Sequence, residues 1–284
     1  MCDTCGCDGT ETVELGESLL AGNDREAAHN REHLQRLGVL TINLMGSPGS
    51  GKTALLEATA RAAAGRLRIA AVSGDLATDL DAERLERAGI PSLSITTGTA
   101  CHLDARMVHR ALHELDLDGV DVLFLENVGN LVCPSLFDLG QAANVVALSV
   151  TEGEDKPLKY PPMFARADLV VLTKVDLLPH LPVSLARFED NVARVCPAPA
   201  PLLVSALTGQ GVDTWMAWLE ARRWEAGGSG RGASAEAAGH EHHDHHHHHH
   251  DPQGEPVEVA PGCACQDEPA TAAAASPAGV RVGR

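Results

Sequence analysis

An eight-residue glycine-rich segment, Gly46–Thr53, constrains the fold of this chain more than any other part of its sequence. Its letters, GSPGSGKT, fit the pattern G-x-x-x-x-G-K-S/T, in which backbone N–H groups wrap a phosphate. An apolar run typical of a buried strand precedes the segment, and a helical pattern follows it. This order predicts a phosphate-binding loop (P-loop) at the amino end of a helix, whose dipole adds positive potential.

The P-loop supplies most of the nucleotide contacts that we expect. Lys52 is predicted to neutralise charge on the β- and γ-phosphates, and the Thr53 hydroxyl to ligate Mg²⁺. The predicted backbone contacts come from Gly46, Gly49, Ser50, Gly51, Lys52 and Thr53. A glycine-rich turn without a ligand is the alternative, and the complete motif between a strand and a helix argues against it.

Two acidic residues follow predicted strands and are expected beside the P-loop. Asp75 follows the second strand and is placed to hold Mg²⁺, directly or through water. Glu126 ends another strand and resembles a Walker-B acid. The residues up to Gly129 look like a switch turn in which the Gly129 N–H meets the γ-phosphate. With Lys52 and Thr53, these acids are the predicted catalytic residues. A solvated strand end is the alternative for each acid.

A second motif predicts that the base is guanine. Residues 173–176 read T-K-V-D and resemble the N-K-x-D segment of GTPases. The Asp176 carboxylate can accept hydrogen bonds from guanine N1–H and N2–H₂, and adenine offers no matching pair. Lys174 would lie over the base plane. Ser205 and Ala206 belong to an S-A-L segment, in which the Ala206 N–H would meet guanine O6.

Short apolar runs alternate with helical patterns and predict an α/β fold. The runs are rich in Val, Ile and Leu, as in strands that are buried on both faces. Their order indicates a P-loop NTPase fold with a mostly parallel sheet flanked by helices. The predicted strands are 39–45, 67–72, 92–95, 120–125, 144–150, 169–173 and 201–204, and the predicted helices include 52–64, 81–88 and 105–115.

Four segments of the chain differ in composition. Residues 1–10 form a flexible, cysteine-rich head for metal binding, and residues 11–37 form an N-terminal helical segment with an expected break at Gly22–Asn23. Residues 38–225 are predicted to form the P-loop GTPase domain. Residues 226–284 are rich in Gly, His, Ala and Pro, with few large apolar side chains, which predicts a disordered tail.

Charge and composition exclude several classes of protein. The 284-residue chain has a formal net charge of −17, so nucleic acids and anionic membranes would repel it. It begins MCDTCGC, which lacks the charged and apolar regions of a secretory signal, and no apolar run is long enough to span a bilayer. We therefore expect a cytoplasmic protein without nucleic-acid or membrane partners, in which clustered thiols stay reduced.

Thiol and imidazole side chains predict an internal metal site. Cys101 and His102 are adjacent, and Cys133 lies just beyond the predicted switch turn. Thiolate and imidazole suit Ni²⁺ and Zn²⁺, and motion of the turn would change the position of Cys133. The alternative is that Cys101 and Cys133 are small buried core residues, where free cysteines are usually found. Cys196 has no evident partner and is expected to be structural.

The two ends of the chain predict further metal binding. Cys2, Cys5 and Cys7 form C-x-x-C-G-C, and three thiolates with the terminal amine would satisfy a square-planar Ni(II) site. A redox-active or simply exposed thiol cluster is the alternative. The tract 240–250 offers many imidazoles, which suits loose storage of Ni²⁺ or Zn²⁺. A purification tag is the alternative origin of this tract.

Together these motifs resemble the HypB-type accessory GTPases that incorporate nickel into hydrogenases, a SIMIBI-class P-loop family. The similarity runs through the C-x-x-C-G-C head, the P-loop and the segment 98–104 with its Cys-His pair. It continues through residues 126–134, which read ENVGNLVCP, and residues 149–161, which read SVTEGEDKPLKYP. It covers essentially residues 1–8 and 30–222. The combination is specific, although the single motifs are not.

The resemblance implies a regulatory GTPase that forms a homodimer when GTP binds and supports nickel insertion into the large subunit of NiFe hydrogenase. It implies a Ni/Zn site at the dimer interface, built from Cys101, His102 and Cys133, and a tight nickel site at the amino-terminal cysteines. The implied cofactors are GTP or GDP, Mg²⁺, Ni²⁺ and Zn²⁺. The implied partners are the HypA-type metallochaperone and the hydrogenase large subunit. The switch region lacks a water-positioning Gln, which predicts slow turnover.

The sequence departs from the family in two places, and two rival functions stay open. Thr173 stands where the family usually has Asn, which predicts a weakened contact to the base or to the P-loop. The His-rich tract follows the GTPase domain, whereas relatives that have one usually carry it near the amino terminus. The rival functions are metal delivery to urease by a similar GTPase, and metal storage by a protein with a vestigial nucleotide site.

Overall fold

The computed structural model describes residues 9–76, 78–198 and 200–227, with side chains from Leu20 onward. The predicted thiol site at Cys2, Cys5 and Cys7 and the histidine tract lie outside the described residues, as does nearly all of the predicted tail. Among the residues that are described, no helix combines the length and the apolar character that crossing a membrane requires.

A single parallel sheet forms the centre of the described part of the chain. Its strands are β1 Leu40–Met45, β2 Ile69–Asp75, β3 Ser92–Thr96, β4 Val122–Glu126, β5 Ala143–Ser149, β6 Leu169–Thr173 and β7 Leu202–Val204. Their order is β3–β2–β4–β1–β5–β6–β7, and all neighbours pair in parallel. In the central strand β1, Leu44 lies opposite Glu126 on one side and Val145 on the other. The predicted α/β fold is confirmed, and the sheet is wholly rather than mostly parallel.

Helices cover both faces of the sheet. They are α1 Gly9–Leu37, α2 Lys52–Ala63, α3 Leu80–Arg87, α4 Ala105–Glu114, α5 Lys156–Lys159, α6 Pro161–Ala165, α7 Leu185–Ala193 and α8 Val212–Glu225. Helices α2, α3 and α8 pack on one face, where Leu56, Leu85 and Trp215 are fully buried. Helices α1, α4, α6 and α7 pack on the other face, around Leu34 and Phe188. Apolar side chains therefore point to both faces of each central strand, which explains the continuous Val, Ile and Leu runs.

The N-terminal helix corrects one prediction. Helix α1 continues through Gly22 and Asn23, so the break expected there is wrong. The Asn23 side chain donates to the Asp138 carbonyl at 2.8 Å and accepts from the Ala105 N–H at 2.9 Å. An ion pair between Arg31 and Asp138, with 2.6 Å between nitrogen and oxygen, adds to this anchor. These tertiary bonds offset the low helix propensity of Gly and Asn.

The strand order determines where a ligand can bind. Strand β1 lies between β4 and β5, and the chain leaves β1 towards β2 on one side and later returns to β5 on the other. Such a reversal opens a crevice at the carboxyl ends of the strands, where parallel α/β sheets bind ligands. The loops after β1, β2, β4 and β6 carry the predicted phosphate, acid and base motifs, and all of them end at this edge.

Candidate nucleotide and metal sites

The P-loop joins β1 to α2 in a conformation that requires glycine. Gly51, the residue before α2, has φ +92°, and Gly46 has φ +152°. A side chain at Gly46 would collide with the Ala147 carbonyl and would lie 2.6 Å from Ser50 Oγ. The Lys52 side chain folds back along the loop, with Nζ 3.4 Å from the Gly46 carbonyl and 3.3 Å from that of Ser47. The loop therefore holds the Lys52 ammonium against its own backbone, beside the cavity that Gly49, Gly51 and Lys52 line.

Buried charges line the cavity beside the P-loop, which we call the phosphate end of the nucleotide groove. Lys52 and Glu126 are both buried, and Thr53 Oγ1 donates to Glu126 Oε1 at 2.7 Å. Burial raises the pKa of Glu126 to about 7, and the Lys52 charge and the Thr53 hydrogen bond oppose that rise. Burial also lowers the pKa of Lys52, against the attraction of Glu126. Without a ligand, both groups are thus shifted towards their neutral forms.

The phosphate end has the chemistry of a divalent-cation site. Glu126 Oε2 is buried, and no described residue donates a hydrogen bond to it. Asp75 lines the same cavity, which has a volume of about 450 Å³. Hydroxyl and carboxylate oxygens, as on Thr53, Glu126 and Asp75, are the ligands that Mg²⁺ prefers beside a phosphate. These residues fit Mg²⁺, and a cation would satisfy the buried Oε2 atom.

Two residues of this cavity were missed by sequence analysis. Asp81 and Arg84 of α3 also line it. Arg84 is held by Glu57 at 3.1 Å and by Asp81 at 3.5 Å. No motif marks them, because they reach the cavity only through the packing of α3 on the sheet.

The predicted switch turn lies directly against the P-loop. The Asn127 N–H donates to the Leu44 carbonyl at 3.0 Å, and the Asn130 N–H donates to the Gly46 carbonyl at 3.1 Å. A Cβ atom at Gly129 would lie 2.9 Å from the backbone nitrogen of Pro48, so this position must be glycine for the two loops to touch. Gly129 also lines the phosphate cavity, as its predicted role requires.

A second cavity, of about 290 Å³ and with largely apolar walls, lies beside the T-K-V-D motif. We call it the base end of the nucleotide groove. Asp176 and Ala206 line it, together with Thr173 and Lys174. Asp176 Oδ1 accepts a hydrogen bond from Ser205 Oγ at 2.6 Å, which orients the carboxylate. Ser205 therefore positions the predicted guanine-reading acid, a role that sequence analysis did not assign to it.

Thr173 and Lys174 tie the base end to the P-loop. Thr173 Oγ1 donates to the Ser50 carbonyl at 2.5 Å, so the contact to the P-loop that Thr was expected to weaken is present. Lys174 adopts φ +57°, and its Nζ donates to the Gly49 carbonyl at 2.7 Å. The lysine stem thus crosses from one end of the groove to the other.

The structure also brings the three internal metal-site candidates together. One ligand atom each from Cys101, His102 and Cys133 lies within 4.8 Å of the other two. All three residues are half-buried, and both cysteines are free thiols, so neither is a core residue. A hydrogen bond with Cys101 raises the pKa of the Cys133 thiol, and burial lowers the pKa of His102, whose ring stacks on Phe137 at 3.9 Å. By contrast, Cys196 is buried against the Ala167 carbonyl, at 3.7 Å, away from this cluster.

Two asparagine side chains connect the switch turn and the residue after it to the backbone of the thiol cluster. The buried Asn127 Oδ1 accepts from the Leu103 N–H at 3.0 Å, directly after the Cys-His pair. Its Nδ2 donates to Asn43 Oδ1 at 3.1 Å, which fixes the amide. Directly after the turn, Asn130 Nδ2 donates to the Cys101 carbonyl at 3.4 Å. The turn that borders the phosphate cavity therefore also holds the backbone of the thiol cluster.

Comparison with known proteins identifies relatives for this arrangement. Residues 40–201 match the family described as CobW/HypB/UreG, nucleotide-binding domain. A hydrogenase maturation factor HypB from Rhizobium leguminosarum bv. viciae is 50% identical over 208 residues, which cover 73% of this chain and 70% of the relative. A hydrogenase/urease maturation factor HypB from Helicobacter hepaticus is 44% identical, over 69% of this chain and 81% of the relative.

A solved structure agrees with these relatives. The crystal structure of HypB from Helicobacter pylori in complex with nickel matches with a TM-score of 0.69 and 39% identity, covering 72% of this chain and 96% of that one. The match of the family model, the identity to curated relatives and the agreement in fold all point the same way. This chain belongs to the HypB family of hydrogenase maturation factors, with the nucleotide-binding domain of the CobW/HypB/UreG group.

Proposed function

We propose that this chain is a slow, GTP-hydrolysing nickel chaperone that supports GTP-dependent insertion of nickel into the large subunit of NiFe hydrogenase. Relatives named as hydrogenase maturation factors and the nickel complex of the Helicobacter pylori protein support the general role. The observation that carries the proposal is the segment 126–133, in which the predicted switch turn borders the phosphate cavity and Cys133, just beyond the turn, belongs to the thiol cluster.

The proposed hydrolysis uses the buried charges of the phosphate end. Lys52 and the P-loop N–H groups bind and orient the phosphates, and Thr53, Asp75 and Glu126 would hold the cation. When bound, Mg²⁺ supplies positive charge to the β- and γ-phosphate oxygens. The turn from Glu126 contains no Gln to position water. We therefore expect turnover below about 1 s⁻¹ without partners, under the range typical of efficient phosphoryl transfer.

The proposed switch links hydrolysis to metal affinity. A γ-phosphate at the Gly129 N–H would fix the turn against the P-loop, and its loss would release the turn. Because Asn127 holds the Leu103 backbone and Cys133 lies just beyond the turn, such a release would move Cys133 relative to Cys101 and His102. A change of even a fraction of an ångström in ligand distance alters metal affinity.

The remaining parts of the proposal concern assembly and supply. The GTP-bound protein would form a homodimer, with the Cys101–His102–Cys133 site, occupied by nickel or zinc, at its interface. The head cysteines would hold nickel tightly, and the histidine tract would store it loosely. The HypA-type metallochaperone and the hydrogenase large subunit are the proposed partners, in the cytoplasm.

Nickel titration of the reduced, untagged full chain tests this coupling. The titration is done with a GTP analogue or GDP bound, in a background where Cys2, Cys5, Cys7, Cys263 and Cys265 are Ser, so that thiolate-to-nickel absorbance reports the internal site. We expect the GTP-analogue state to dimerise by mass and to bind nickel with a different affinity from the GDP state. Cys101→Ser combined with Cys133→Ser should abolish the absorbance, and Cys196→Ala is the matched control. Equal affinities and an unchanged mass in both states would contradict the proposal.

A second candidate is maturation of urease, since the Helicobacter hepaticus relative is named for both enzymes. Affinity capture from cells that express both systems separates the two functions. Recovery of urease components without hydrogenase components would make urease maturation the better-supported function.

Metal storage with a vestigial nucleotide site is the candidate from a different class. Lys52→Ala distinguishes it in cells, because storage does not need the phosphate site. If hydrogenase activity and nickel content both survive this change, storage is the better account.

A further inference from the structure

A group of histidines lies between α1 and α4. The proposed nucleotide mechanism uses none of these side chains. Two pairs contribute, His29 and His33 on α1 and His109 and His113 on α4. Residues four apart lie on the same face of a helix, so each pair presents two imidazoles to the other helix. Ring centroids are 5.0 Å apart for His29 and His109 and 6.2 Å apart for His33 and His113.

Possible ligand atoms of this group lie close together in two sets that share His109. One atom each from Glu26, His29 and His109 lies within 4.8 Å of the other two. The Nε2 atoms of His109 and His113 are 3.2 Å apart. Two nitrogen ligands on one tetrahedral ion, each about 2.0–2.1 Å from it, lie about 3.3 Å apart. The His109–His113 spacing therefore already matches a shared ion.

Neighbouring polar groups determine the tautomer of His109. Asn30 Nδ2 donates to the Ala105 and Leu139 carbonyls at 2.8 and 3.2 Å, so Asn30 Oδ1 is left as an acceptor. His109 Nδ1 lies 3.1 Å from this oxygen and 3.3 Å from Glu26 Oε1, and must carry the proton to bond with either. The lone pair is then on Nε2, which faces His113. Metal-binding histidines are usually held in this way by a carbonyl or carboxylate on the second ring nitrogen.

We propose that His29, His109 and His113, with Glu26 beside them, form a further transition-metal site that uses no thiol and binds Ni²⁺ or Zn²⁺ between α1 and α4. Imidazole and carboxylate are ligands that both ions accept. His29 and His113 are exposed and free to change rotamer, whereas Asn30 holds His109 in place. The site is separate from the Cys101–His102–Cys133 cluster, and its existence does not depend on the proposed GTP-driven nickel insertion.

Hydrogen exchange read by peptide mass spectrometry tests this site in the full chain, because it separates the helices from the histidine tract. The full chain carries Cys101→Ser and Cys133→Ser, so that no effect is transmitted from the thiol cluster. NiCl₂ or ZnCl₂ alone is the probe. An ion that bridges the helices must leave before they separate, so exchange in residues 23–36 and 105–115 should slow about tenfold when the free metal is ten times its Kd.

Variants decide whether the named side chains are responsible. His29→Ala, at an exposed position, should remove the protection while leaving metal-free exchange unchanged, and His109→Ala should also remove it. His180→Ala, an exposed histidine elsewhere, is the matched control and should keep the protection. The proposal is overturned if neither ion slows exchange in the parent chain, or if His29→Ala and His109→Ala both keep the protection.

Discussion

The phosphate end and the base end of the nucleotide groove are built on opposite principles. The phosphate end buries an ammonium and a carboxylate, Lys52 and Glu126, whose pKa values are both shifted towards the neutral form. The base end has mostly apolar walls and presents the carboxylate of Asp176, oriented by Ser205. The phosphate end therefore has buried charges that a bound phosphate and cation would neutralise. The base end has an apolar pocket with one oriented hydrogen-bond acceptor.

This difference separates affinity from selectivity. Buried charges are costly alone and favourable once a phosphate and a cation neutralise them, so the phosphate end should supply most of the binding free energy. A single oriented acceptor adds less energy but distinguishes guanine from adenine, because the wrong base leaves it unpaired. If this division holds, substitutions at the phosphate end should lower affinity without changing the preference for GDP over ADP. Substitutions at the base end should change that preference without changing ADP affinity.

Lys52→Ala should have the largest effect. Loss of a buried, charge-assisted contact to phosphate costs about 3 kcal/mol, so GDP affinity should fall about 100-fold. The preference for GDP over ADP should stay within about threefold of the parent value. Calorimetric titration with both nucleotides measures this, and Lys159→Ala, an exposed lysine outside the groove, is the control. A large loss of the GDP preference would show that the two ends are not independent.

Asp176→Asn should have the next largest effect, and it should change the preference for GDP over ADP. An amide in place of the carboxylate removes a charged acceptor for guanine N1–H and N2–H₂, at about 2 kcal/mol. GDP affinity should fall about 30-fold while ADP affinity stays the same, so the preference disappears. The same titrations measure it, with Asp213→Asn on the exposed side of α8 as control. An equal loss for both nucleotides would contradict the assignment of Asp176 to the base.

Glu126→Gln should change how stability depends on pH. Burial raises the pKa of Glu126 from 4.5 to about 7, so the folded state disfavours the ionised form. This cost is absent below about pH 4.5, grows as pH rises, and is complete above about pH 7. The variant should therefore be more stable than the parent by about 1–3 kcal/mol at pH 8, with little difference at pH 4.5.

Urea unfolding in a chelator, without nucleotide, measures this difference at both pH values. Glu225→Gln, an exposed position at the end of α8, is the control and should show no pH-dependent gain. Saturating Mg²⁺ and GDP should reduce or reverse the gain, because they favour the ionised carboxylate. A variant that is less stable than the parent at pH 8 would contradict the role of burial.

Thr173→Val should have the smallest effect, because Thr173 joins the two ends rather than binding at either. The change removes the hydrogen bond to the Ser50 carbonyl and keeps the shape of the side chain. A loss of about 1 kcal/mol predicts GDP and ADP affinities that are both about fivefold weaker, with an unchanged preference. Thr96→Val, exposed at the end of β3, is the control. A selective loss of GDP would place Thr173 at the base instead.

Local motifs were sufficient to predict much of the groove. Glycines at fixed spacing, a lysine and a hydroxyl residue determine a P-loop wherever a strand precedes them and a helix follows, as at Gly46–Thr53. Strand-end acids were also predictable, because the ends of parallel strands share one edge of the sheet. Asp75 and Glu126 therefore meet at the phosphate cavity although 50 residues separate them.

Other features depend on pairs of residues that are distant in the sequence. Thr173 keeps its P-loop contact because β6 brings it to the Ser50 carbonyl, and no local pattern shows that distance. Helix α1 passes through Gly22 and Asn23 because Ala105 and Asp138 bond to the Asn23 side chain. In each case a tertiary bond outweighs the local preference.

The sequence by itself determined the α/β fold, the order of its strands along the chain, and the residue types that we expect to bind phosphate, guanine and metal. Those features follow from periodicity and from short motifs, in which backbone geometry and chemistry are set by neighbours in the chain. Only the tertiary structure decided that Arg84 lines the cavity beside the P-loop, that Ser205 bonds to Asp176, and that histidines of α1 and α4 lie close together. The i, i+4 spacing of each histidine pair is visible in the sequence, but which helix faces pack together depends on burial of the whole core.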